Sequence, residues 1–270
     1  MDSIASHFHR NGFFSPIRVL SDAQIFSYRS LLYDTLMGKL EDPLVSHRYV
    51  WQLHLLMPWL AELVQQPSIL DAVEQVLGPN ILVWNSGFII KWPEDNQYTS
   101  WHQDRTFWGL RPERAVTAWI AFTTSTRENG CLWMVPGTHR KGQIEHANRY
   151  AKGNMLSRGQ EIDLDISSNK AVAVDLRPGE MSLHDVSIIH SSEPNTSDEI
   201  RIGCNITYIV PEVTQTLGPD TAYLVRGQDN HRNFFLAPTP HDSESKETKE
   251  YYAKTALERG NILAKESSVN

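Results

Sequence analysis

The sequence predicts a mainly β protein with a helical N-terminal layer and a jelly-roll core of the double-stranded β-helix, cupin-like kind. Two observations support this fold class. The first eighty residues carry apolar side chains at helical spacing, whereas residues 81–240 alternate short apolar runs with turn-rich pieces. Because no helical pattern separates these runs, they favour antiparallel pairing in a sandwich or barrel over a parallel βαβ sheet.

Two helices are predicted within the N-terminal layer, residues 1–80, and one at the C-terminal end. The first helix begins at Ser21, a favourable N-cap residue, and continues to Met37. The second begins at Pro67 and ends before Gly78, since glycine and the proline after it stop a helix. The charged segment 241–270 is predicted to form a surface helix with a frayed tail.

Short strands are predicted throughout residues 81–240. The strand-like runs are ILVWNSGFIIKW, AVTAWIAFTT, CLWMVP, KAVAVDL, EMSLHDVSIIH and RIGCNITYIV. Turn-forming pieces such as ENG, PGTHRKG and RPGE separate them. No internal repeat or low-complexity linker interrupts the pattern, so residues 1–270 are predicted to form a single domain.

Composition limits the class of protein. The 270 residues are 40% hydrophobic and 21% charged, which is typical of a globular chain with one sizeable core. A net charge of −7 argues against nucleic-acid binding, and no apolar run reaches the roughly 20 residues of a membrane-spanning helix. The N-terminus lacks a secretory pattern, and Cys131 and Cys204 are expected to be reduced, buried thiols. A cytoplasmic protein without nucleic-acid or membrane partners is therefore expected.

The stretch YTSWHQDRTFW places a histidine and an aspartate two residues apart among aromatic residues. In a strand, residues i and i+2 point to the same face, so His102 and Asp104 would direct a nitrogen and an oxygen at one point. Such a pair is also common at surfaces. His190, at the end of an apolar run, is the third candidate. Two histidines and one carboxylate on one side of an ion form the facial triad of non-haem Fe(II) oxygenases.

Arg201 opens the run after His190. It shares one strand face with Asn205 and Thr207, whereas the alternating residues are apolar. This pattern predicts an inward-facing guanidinium, which can bind a carboxylate through two hydrogen bonds. The alternative is a surface salt bridge, since most arginines are exposed.

Three blocks, WHQD, ENGCLWMVPGTHRKG and HSSEPNTSDEIR, occur in this order. With them the chain, from about Phe13 to about Pro240, resembles the phytanoyl-CoA dioxygenase family of Fe(II)- and 2-oxoglutarate-dependent oxygenases. The offset from His190 to Arg201 (201 − 190 = 11) equals the family's offset between its distal iron histidine and its 2-oxoglutarate arginine.

The resemblance implies Fe(II) as the metal, with 2-oxoglutarate and O2 as co-substrates. The implied iron ligands are His102, Asp104 and His190. Arg201 is implied to bind the far carboxylate of 2-oxoglutarate. Three further residues match family positions around the co-substrate and the iron: Ser192, which would assist Arg201; Thr117, a strand hydroxyl touching 2-oxoglutarate; and Trp108, an aromatic side chain flanking the iron.

Other polar and aromatic residues leave alternatives open. His184 would share a face with His190 if MSLHDVSIIH were one strand, but HSSEPN and Arg201 follow His190 as in the family. His184 is then expected to be structural or to donate a hydrogen bond to a ligand. The segment LVRGQDNHRNFF holds candidates for substrate contact that are equally well solvated loop residues: Arg226, His231 and Asn233. Four tryptophans are expected in the core, of which Trp119 could instead point inward to the site: Trp84, Trp92, Trp119 and Trp133.

The implied reaction couples decarboxylation of 2-oxoglutarate to succinate with oxidation of a substrate C–H bond. Asp104 stands where related halogenases have a small residue, so hydroxylation is favoured over halogenation. The absence of a nucleotide-phosphate motif favours a small polar or zwitterionic metabolite, such as an amino acid or aminophosphonate, over an acyl-CoA. The alternatives are desaturation or epimerisation of a secondary metabolite, a zinc-type hydrolase, and a non-catalytic jelly-roll binding module.

Overall fold

The computed structural model describes residues 3–35, 51–94, 96–156, 158–163 and 170–265. The α-helices are α1 (Ile4–Asn11), α2 (Asp22–Thr35), α3 (Pro58–Leu63), α4 (Pro67–Leu77) and α5 (Lys246–Lys265). The strands are β1 (Phe13–Arg18), β2 (Ile81–Lys91), β3 (Thr99–His102), β4 (Leu110–Arg111), β5 (Ala115–Ala121), β6 (Leu132–Met134), β7 (His146–Asn148), β8 (Gln160–Ile162), β9 (Val172–Val174), β10 (Glu180–Asp185), β11 (His190–Ser192), β12 (Arg201–Ile209), β13 (Thr214–Gln215), β14 (Thr221–Arg226) and β15 (Phe235–Leu236).

The strands form two principal sheets. Seven strands hydrogen-bond in the order β1-β10-β5-β12-β2-β14-β15, and four in the order β3-β11-β6-β9. Two further pairs are β13-β4 and β7-β8. The registered pairs are antiparallel, apart from the parallel contact of β14 with β15. A mainly β, largely antiparallel chain is the architecture that the sequence predicts.

The chain divides into two compact units. The first comprises Met1–Asp22, Ile89–Thr106 and Trp119–Cys204, and it contains the four-stranded sheet. The second comprises Ala23–Phe88, Phe107–Ala118 and Asn205–Asn270, and it contains α3, α4 and α5. Strands β2, β5 and β12 contribute residues to both units. The single domain expected from the sequence stays a prediction.

Both helices predicted in the N-terminal layer are present. α4 has Pro67 in its first turn, and Gly78 follows its last residue, as the sequence predicts. α2 begins one residue after Ser21 and buries an apolar stripe of Ile25, Tyr28 and Leu32. The last two residues of the predicted helix, Leu36 and Met37, lie outside the described residues.

The N-terminal segment also contains a strand that the sequence analysis missed. The Ser3 hydroxyl caps α1 by accepting a hydrogen bond from the Ser6 amide, and Gly12 ends the helix at φ 83°. The chain then forms β1, which pairs with β10 and places Phe13 opposite His184. Glycine adopts this left-handed conformation without steric cost, so the chain can turn from helix into strand within one residue.

The run EMSLHDVSIIH, predicted as one strand, forms two. β10 ends at Asp185, whose carboxylate accepts a 2.7 Å hydrogen bond from the Ser187 amide. This local turn separates β10 in the seven-stranded sheet from β11 in the four-stranded sheet. His184 and His190 therefore belong to different sheets, and strand alternation does not relate their side chains.

Apolar side chains of the first unit form a buried cluster beside the four-stranded sheet. The cluster consists of Phe13, Trp119, Ala121, Leu132, Met134, Val174, Leu176 and Ile188. Burial of such side chains contributes about 1.5–3 kcal/mol each for the larger ones. Trp84 is also buried, but Trp92 is 46% exposed, so its expected core position is wrong. Cys131 and Cys204 are free and buried, as predicted.

The C-terminal segment forms α5, but its predicted character as a surface helix is only half right. Tyr252 and Arg259 are 2% and 0% exposed, whereas Leu257 is 67% exposed. One face of α5 is therefore part of the packed interior of the second unit. None of the helices in the described residues has the length and apolar character required to span a membrane.

Candidate metal centre

Strand β11 lies between β3 and β6 and brings two of the predicted ligands together. His190 pairs with His102 on β3 and with Met134 on β6. The two imidazole ring centroids are 4.1 Å apart, and the residues are only 3% (His102) and 5% (His190) exposed. The backbone register thus fixes the spacing of the two histidines.

Asp104 joins these histidines for a different reason from the one predicted. β3 ends at His102, and Asp104 begins a short 3-10 turn, so strand alternation does not apply. The turn is held by a 2.9 Å hydrogen bond from the Arg105 amide to the Val186 carbonyl. Asp104 Oδ1 lies 3.2 Å from His102 Nε2 and 3.7 Å from His190 Nε2. One ligand atom from each residue lies within 4.8 Å of the others.

The backbone sets the tautomer of both histidines. His102 Nδ1 lies 2.8 Å from the Ser100 carbonyl oxygen, and His190 Nδ1 lies 3.1 Å from that of Ile188. A carbonyl oxygen can only accept, so Nδ1 carries the proton and Nε2 presents a lone pair. Three acceptors therefore converge: two Nε2 atoms and Asp104 Oδ1. A bound cation would satisfy all three, and this donor set suits Fe(II).

The charge state of the cluster also suits a metal. Burial, with the nearby His102 adding to it, lowers the pKa of His190 to about 3. Burial alone would raise the pKa of Asp104, but His190 and His102 outweigh it and hold that pKa below its ordinary value. A neutral His190 and an ionised Asp104 at neutral pH are the forms that metal coordination requires.

Gln103 supports the turn between the two ligands, a role that the sequence analysis missed. Its side chain donates to the Gly142 and Ser187 carbonyls at 3.0 and 2.6 Å and accepts from the Ile144 amide at 2.9 Å. The residue is 0% exposed. One feature of the sequence could have indicated this role, namely the amide side chain between His102 and Asp104 in WHQD. A residue at that place whose side-chain hydrogen bonds are all formed fixes the positions of both neighbouring ligands.

Arg201 is buried in the same unit, as the strand-face argument predicts. It is 1% exposed, and none of its three guanidinium nitrogens has a hydrogen-bond partner among the described residues. The guanidinium lies 5.2 Å from the ring centroid of Trp119. Burial lowers the pKa of Arg201 to about 10, so the group remains protonated at neutral pH. The alternative of a surface salt bridge is therefore wrong.

Trp119 belongs to the buried apolar cluster and also lies beside Arg201. It is 1% exposed, and its Nε1 donor, like the guanidinium above the ring, has no hydrogen-bond partner among the described residues. The sequence signal was the strand parity of Trp119 with the predicted co-substrate residue Thr117. The neighbouring side chains of Arg201 and Trp119 thus carry buried hydrogen-bond donors that a bound acceptor would satisfy.

Ser192 contacts other groups than the one expected. Its hydroxyl donates to the Gly130 carbonyl at 2.8 Å and lies 2.6 Å from Lys91 Nζ, which donates to it. Lys91 is 0% exposed and also donates to the Ser192 and Glu193 carbonyls. The sequence analysis missed this buried ammonium, whose signal was a lone lysine in the apolar run GFIIKW. The predicted assistance of Ser192 to Arg201 stays a prediction.

Thr117 and Trp108 belong to the second unit. Thr117 is buried on β5, and its hydroxyl has no hydrogen-bond partner in the part of the chain that the structure describes. The Trp108 ring lies 5.0 Å from that of Trp84, whose Nε1 donates to Asp220 at 2.8 Å. The predicted contacts of Thr117 and Trp108 with the co-substrate and the iron stay predictions.

The loop candidates for substrate contact have local partners. Arg226 binds Asp71 at 2.8 Å and Glu74 at 2.5 Å, so its guanidinium is tied to α4. Asn233 donates to the Pro211 carbonyl at 3.1 Å, and His231 is exposed. Arg226 is the last residue of β14, not a loop residue as expected, and its contacts and those of Asn233 favour a structural role over substrate contact.

The sequence profile of the phytanoyl-CoA dioxygenase family matches residues 8–203. The chain belongs to this family. Membership confirms the resemblance, stated from the three motif blocks, to a family of iron- and 2-oxoglutarate-dependent dioxygenases, and it agrees with the jelly-roll fold class. The match ends before most of β12 and excludes α5.

Relatives in the family differ in what their names say they act on. The chain is 29% identical over 157 residues to a probable phytanoyl-CoA dioxygenase of Caenorhabditis elegans, covering 55% of this chain and 50% of the relative. It is 26% identical over 212 residues to the ectoine dioxygenase of Bordetella parapertussis, covering 73% and 68%. The chain spans about half the length of several curated relatives it matches.

Among solved structures, the chain is similar to the non-haem monooxygenase ThoJ. The apo form of ThoJ superposes with a TM-score of 0.90 at 29% identity, covering 99% of this chain and 100% of the other. A nickel complex of ThoJ superposes with a TM-score of 0.83 at 28% identity, covering 97% and 99%. The similarity therefore includes α5, which lies outside the family profile.

Proposed function

We propose that the protein is an Fe(II)- and 2-oxoglutarate-dependent dioxygenase in which His102, Asp104 and His190 bind the iron. Support comes from the three convergent acceptor atoms, the tautomers imposed by the Ser100 and Ile188 carbonyls, and the family membership. Three protein ligands leave half of an octahedral coordination sphere open, which suits a bidentate co-substrate and dioxygen.

The observation that carries the proposal is the buried guanidinium of Arg201, which has no hydrogen-bond partner among the described residues. Burying a charge without a partner is costly, so a binding partner is expected to be an anion. The far carboxylate of 2-oxoglutarate matches a planar guanidinium through two hydrogen bonds. Trp119 Nε1 is a further buried donor next to it. A zinc-type hydrolase or a non-catalytic jelly-roll module gives Arg201 no such role.

The proposed reaction is hydroxylation of a C–H bond of a small polar or zwitterionic metabolite, with succinate and CO2 as co-products. The bound iron and 2-oxoglutarate supply the oxidising chemistry. The chain's own residues position the two: the β3–β11 register fixes the histidines, the turn at Gln103 fixes Asp104, and Arg201 anchors the diacid. The ectoine dioxygenase is named for a substrate other than an acyl-CoA, and the chain matches it over a larger share of both chains (73% and 68%) than it matches the probable phytanoyl-CoA dioxygenase of Caenorhabditis elegans (55% and 50%), which supports this class.

A metabolite panel tests the reaction and its substrate class. The protein is incubated with Fe(II), 2-oxoglutarate and oxygen plus amino acids, aminophosphonates, cyclic zwitterions, quaternary ammonium compounds or acyl-CoA thioesters. We expect succinate release above the substrate-free background with a small polar compound, and a product heavier by one oxygen atom. A product lighter by two hydrogen atoms or an epimer would indicate the alternative outcome. Turnover of acyl-CoA alone would reject the proposed substrate class.

Cytoplasmic location is also part of the proposal. The two free, buried thiols of Cys131 and Cys204 agree with a reducing compartment. Fractionation of cells that express the full chain tests the location directly.

A further inference from the structure

Asp104 presents its two carboxylate oxygens to different groups. Oδ1 faces the Nε2 atoms of His102 and His190, at 3.2 and 3.7 Å. Oδ2 faces another histidine, His184, whose Nε2 lies 3.9 Å away. The hydrogen bond between Asp104 and His102 uses Oδ1 and does not involve Oδ2. If Oδ1 binds a metal, Oδ2 retains a negative lone pair in a buried site and needs a donor.

His184 is available for that contact. It is 2% exposed, and its Nδ1 has no hydrogen-bond partner within the described residues. Its ring centroid lies 5.0 Å from that of His190, so the imidazole borders the candidate metal centre without joining the three convergent ligand atoms. His184 Nε2 faces Asp104 Oδ2 at a distance longer than a hydrogen bond, so a small approach of the two groups would form one.

The backbone around His184 is fixed. His184 pairs with Phe13 in the β1–β10 ladder. The next residue, Asp185, donates its amide to the Gly12 carbonyl at 2.8 Å and accepts from the Ser187 amide at 2.7 Å. The ring therefore cannot move away easily, and a contraction of about 1 Å between Nε2 and Oδ2 gives an ordinary hydrogen bond.

We propose that His184 is a positioning residue for the metal centre: its Nε2–H donates to Asp104 Oδ2 when Oδ1 binds the metal. The inference rests on the proposed function. Its consequence is single-oxygen coordination by Asp104. A carboxylate that binds through both oxygens would fill one of the positions that 2-oxoglutarate and dioxygen need.

The experiment compares Mn(II) affinity among variants of the full chain, with the free ion measured by electron paramagnetic resonance. His184→Phe keeps the ring shape and removes the donor. His184→Gln places an amide N–H near the position of Nε2, whereas His184→Asn carries the same group on a shorter stem. His54→Phe, which removes a buried histidine of the second unit, is the matched control.

We expect His184→Phe and His184→Asn to raise the Mn(II) dissociation constant about 10- to 100-fold, and His184→Gln to stay within a few-fold of wild type. The control should bind Mn(II) like wild type. The thermal midpoints of the metal-free variants should not rank in the same order as their Mn(II) affinities. A merely structural role of His184 would instead lower the midpoint in all three His184 variants. If His184→Phe does not fold, the comparison of Gln with Asn carries the test.

Equal Mn(II) affinity in wild type and His184→Phe, or in the Gln and Asn variants, would overturn the inference. Loss of binding in all three variants without rescue by Gln would also overturn it, because it would make His184 a ligand. A wild-type protein that binds neither Mn(II) nor 2-oxoglutarate would instead overturn the proposed function itself, and the inference with it.

Discussion

His190 lies directly opposite His102 in the β3–β11 pair, with their ring centroids 4.1 Å apart. Each ring also directs Nδ1 at a carbonyl oxygen two residues earlier in its own chain segment, Ser100 or Ile188. The main chain therefore sets both the spacing and the tautomer of the two imidazoles before any metal binds. Asp104 instead lies in a 3-10 turn outside the strand pair. Its position therefore depends on the local hydrogen bonds of that turn more than the positions of the two histidines do.

Replacing Asp104 by alanine should abolish product formation and weaken Fe(II) binding. Loss of an outer hydrogen-bond partner alone costs about 10- to 100-fold in metal affinity, so loss of a ligand should exceed that range. Asp185→Asn is the control, because its side chain can still accept from the Ser187 amide. Metal titration and product analysis measure both effects. Robust hydroxylation by Asp104→Ala would contradict its role as a ligand.

Gly203→Ala should destabilise the protein by about 1–3 kcal/mol and weaken 2-oxoglutarate binding. A methyl group at Gly203 would overlap the Trp119 indole, which is 1% exposed and lies beneath Arg201. Gly260→Ala in α5 is the matched control, since nothing lies within 4 Å of its added carbon. That control should stabilise the helix by roughly 0.5–1 kcal/mol. Chemical denaturation gives both values, and equal effects would refute the packing argument.

The stability of the metal-free protein should fall as the pH drops below about 6.5. Burial, and secondarily the charge of Arg259, lower the pKa of His54 to about 3. Below about pH 6.5 the His54 imidazole therefore binds a proton in the unfolded chain but stays neutral in the folded chain. One such histidine costs about 1.4 kcal/mol per pH unit between the two pKa values, or about 2 kcal/mol at pH 5.

Urea unfolding at pH 7 and pH 5 measures this effect. His54→Asn keeps a polar group that can hydrogen-bond to the Ser86 hydroxyl, which lies 2.8 Å from His54 Nδ1, and removes the titrating ring. The difference in stability between the two pH values should shrink by about 2 kcal/mol in this variant. An unchanged difference would show that His54 does not carry it.

Arg259→Met should destabilise the second unit by about 3–5 kcal/mol, because it leaves the buried Asp220 carboxylate without its cation. Arg259 Nε and Nη2 bind Asp220 Oδ1 at 3.0 and 2.9 Å, and the guanidinium lies 4.1 Å from the Trp84 ring centroid. The double variant Arg259→Met/Asp220→Asn should recover part of the loss, since the uncompensated charge is gone. Additive losses in a double-mutant cycle would contradict coupling between the pair.

The sequence predicted the larger elements because their signals are local. Pro67 and Gly78 mark the ends of α4, and the apolar run from Ile81 marks β2. β1 was missed because its pairing with β10 is a tertiary contact, and the left-handed Gly12 that permits it leaves no periodic pattern. The split between β10 and β11 depends on one side-chain hydrogen bond, from the Ser187 amide to Asp185.

The three candidate ligands lie together in the fold, but the geometric reasoning for Asp104 was wrong. Strand alternation was expected to align it with His102, whereas a 3-10 turn does so. Gln103 and Lys91 were missed, and Trp119 was considered for the site only through its strand parity with Thr117. Their roles depend on which backbone carbonyls or buried charges the fold brings near them, and residue type and spacing do not encode those contacts.

The most direct test of the proposed site is the visible absorption of the protein with Fe(II) and 2-oxoglutarate under anaerobic conditions. A weak metal-to-ligand charge-transfer band should appear in the wild-type protein. At a moderate concentration of 2-oxoglutarate, the band should vanish in the Arg201→Ala variant. Arg127→Ala is the control, because Arg127 also lies over a tryptophan, 5.4 Å from the Trp133 ring centroid, but its side chain is 69% exposed. The control should keep the band. Absence of the band in the wild-type protein, or its persistence at unchanged affinity in Arg201→Ala, would contradict the proposed site.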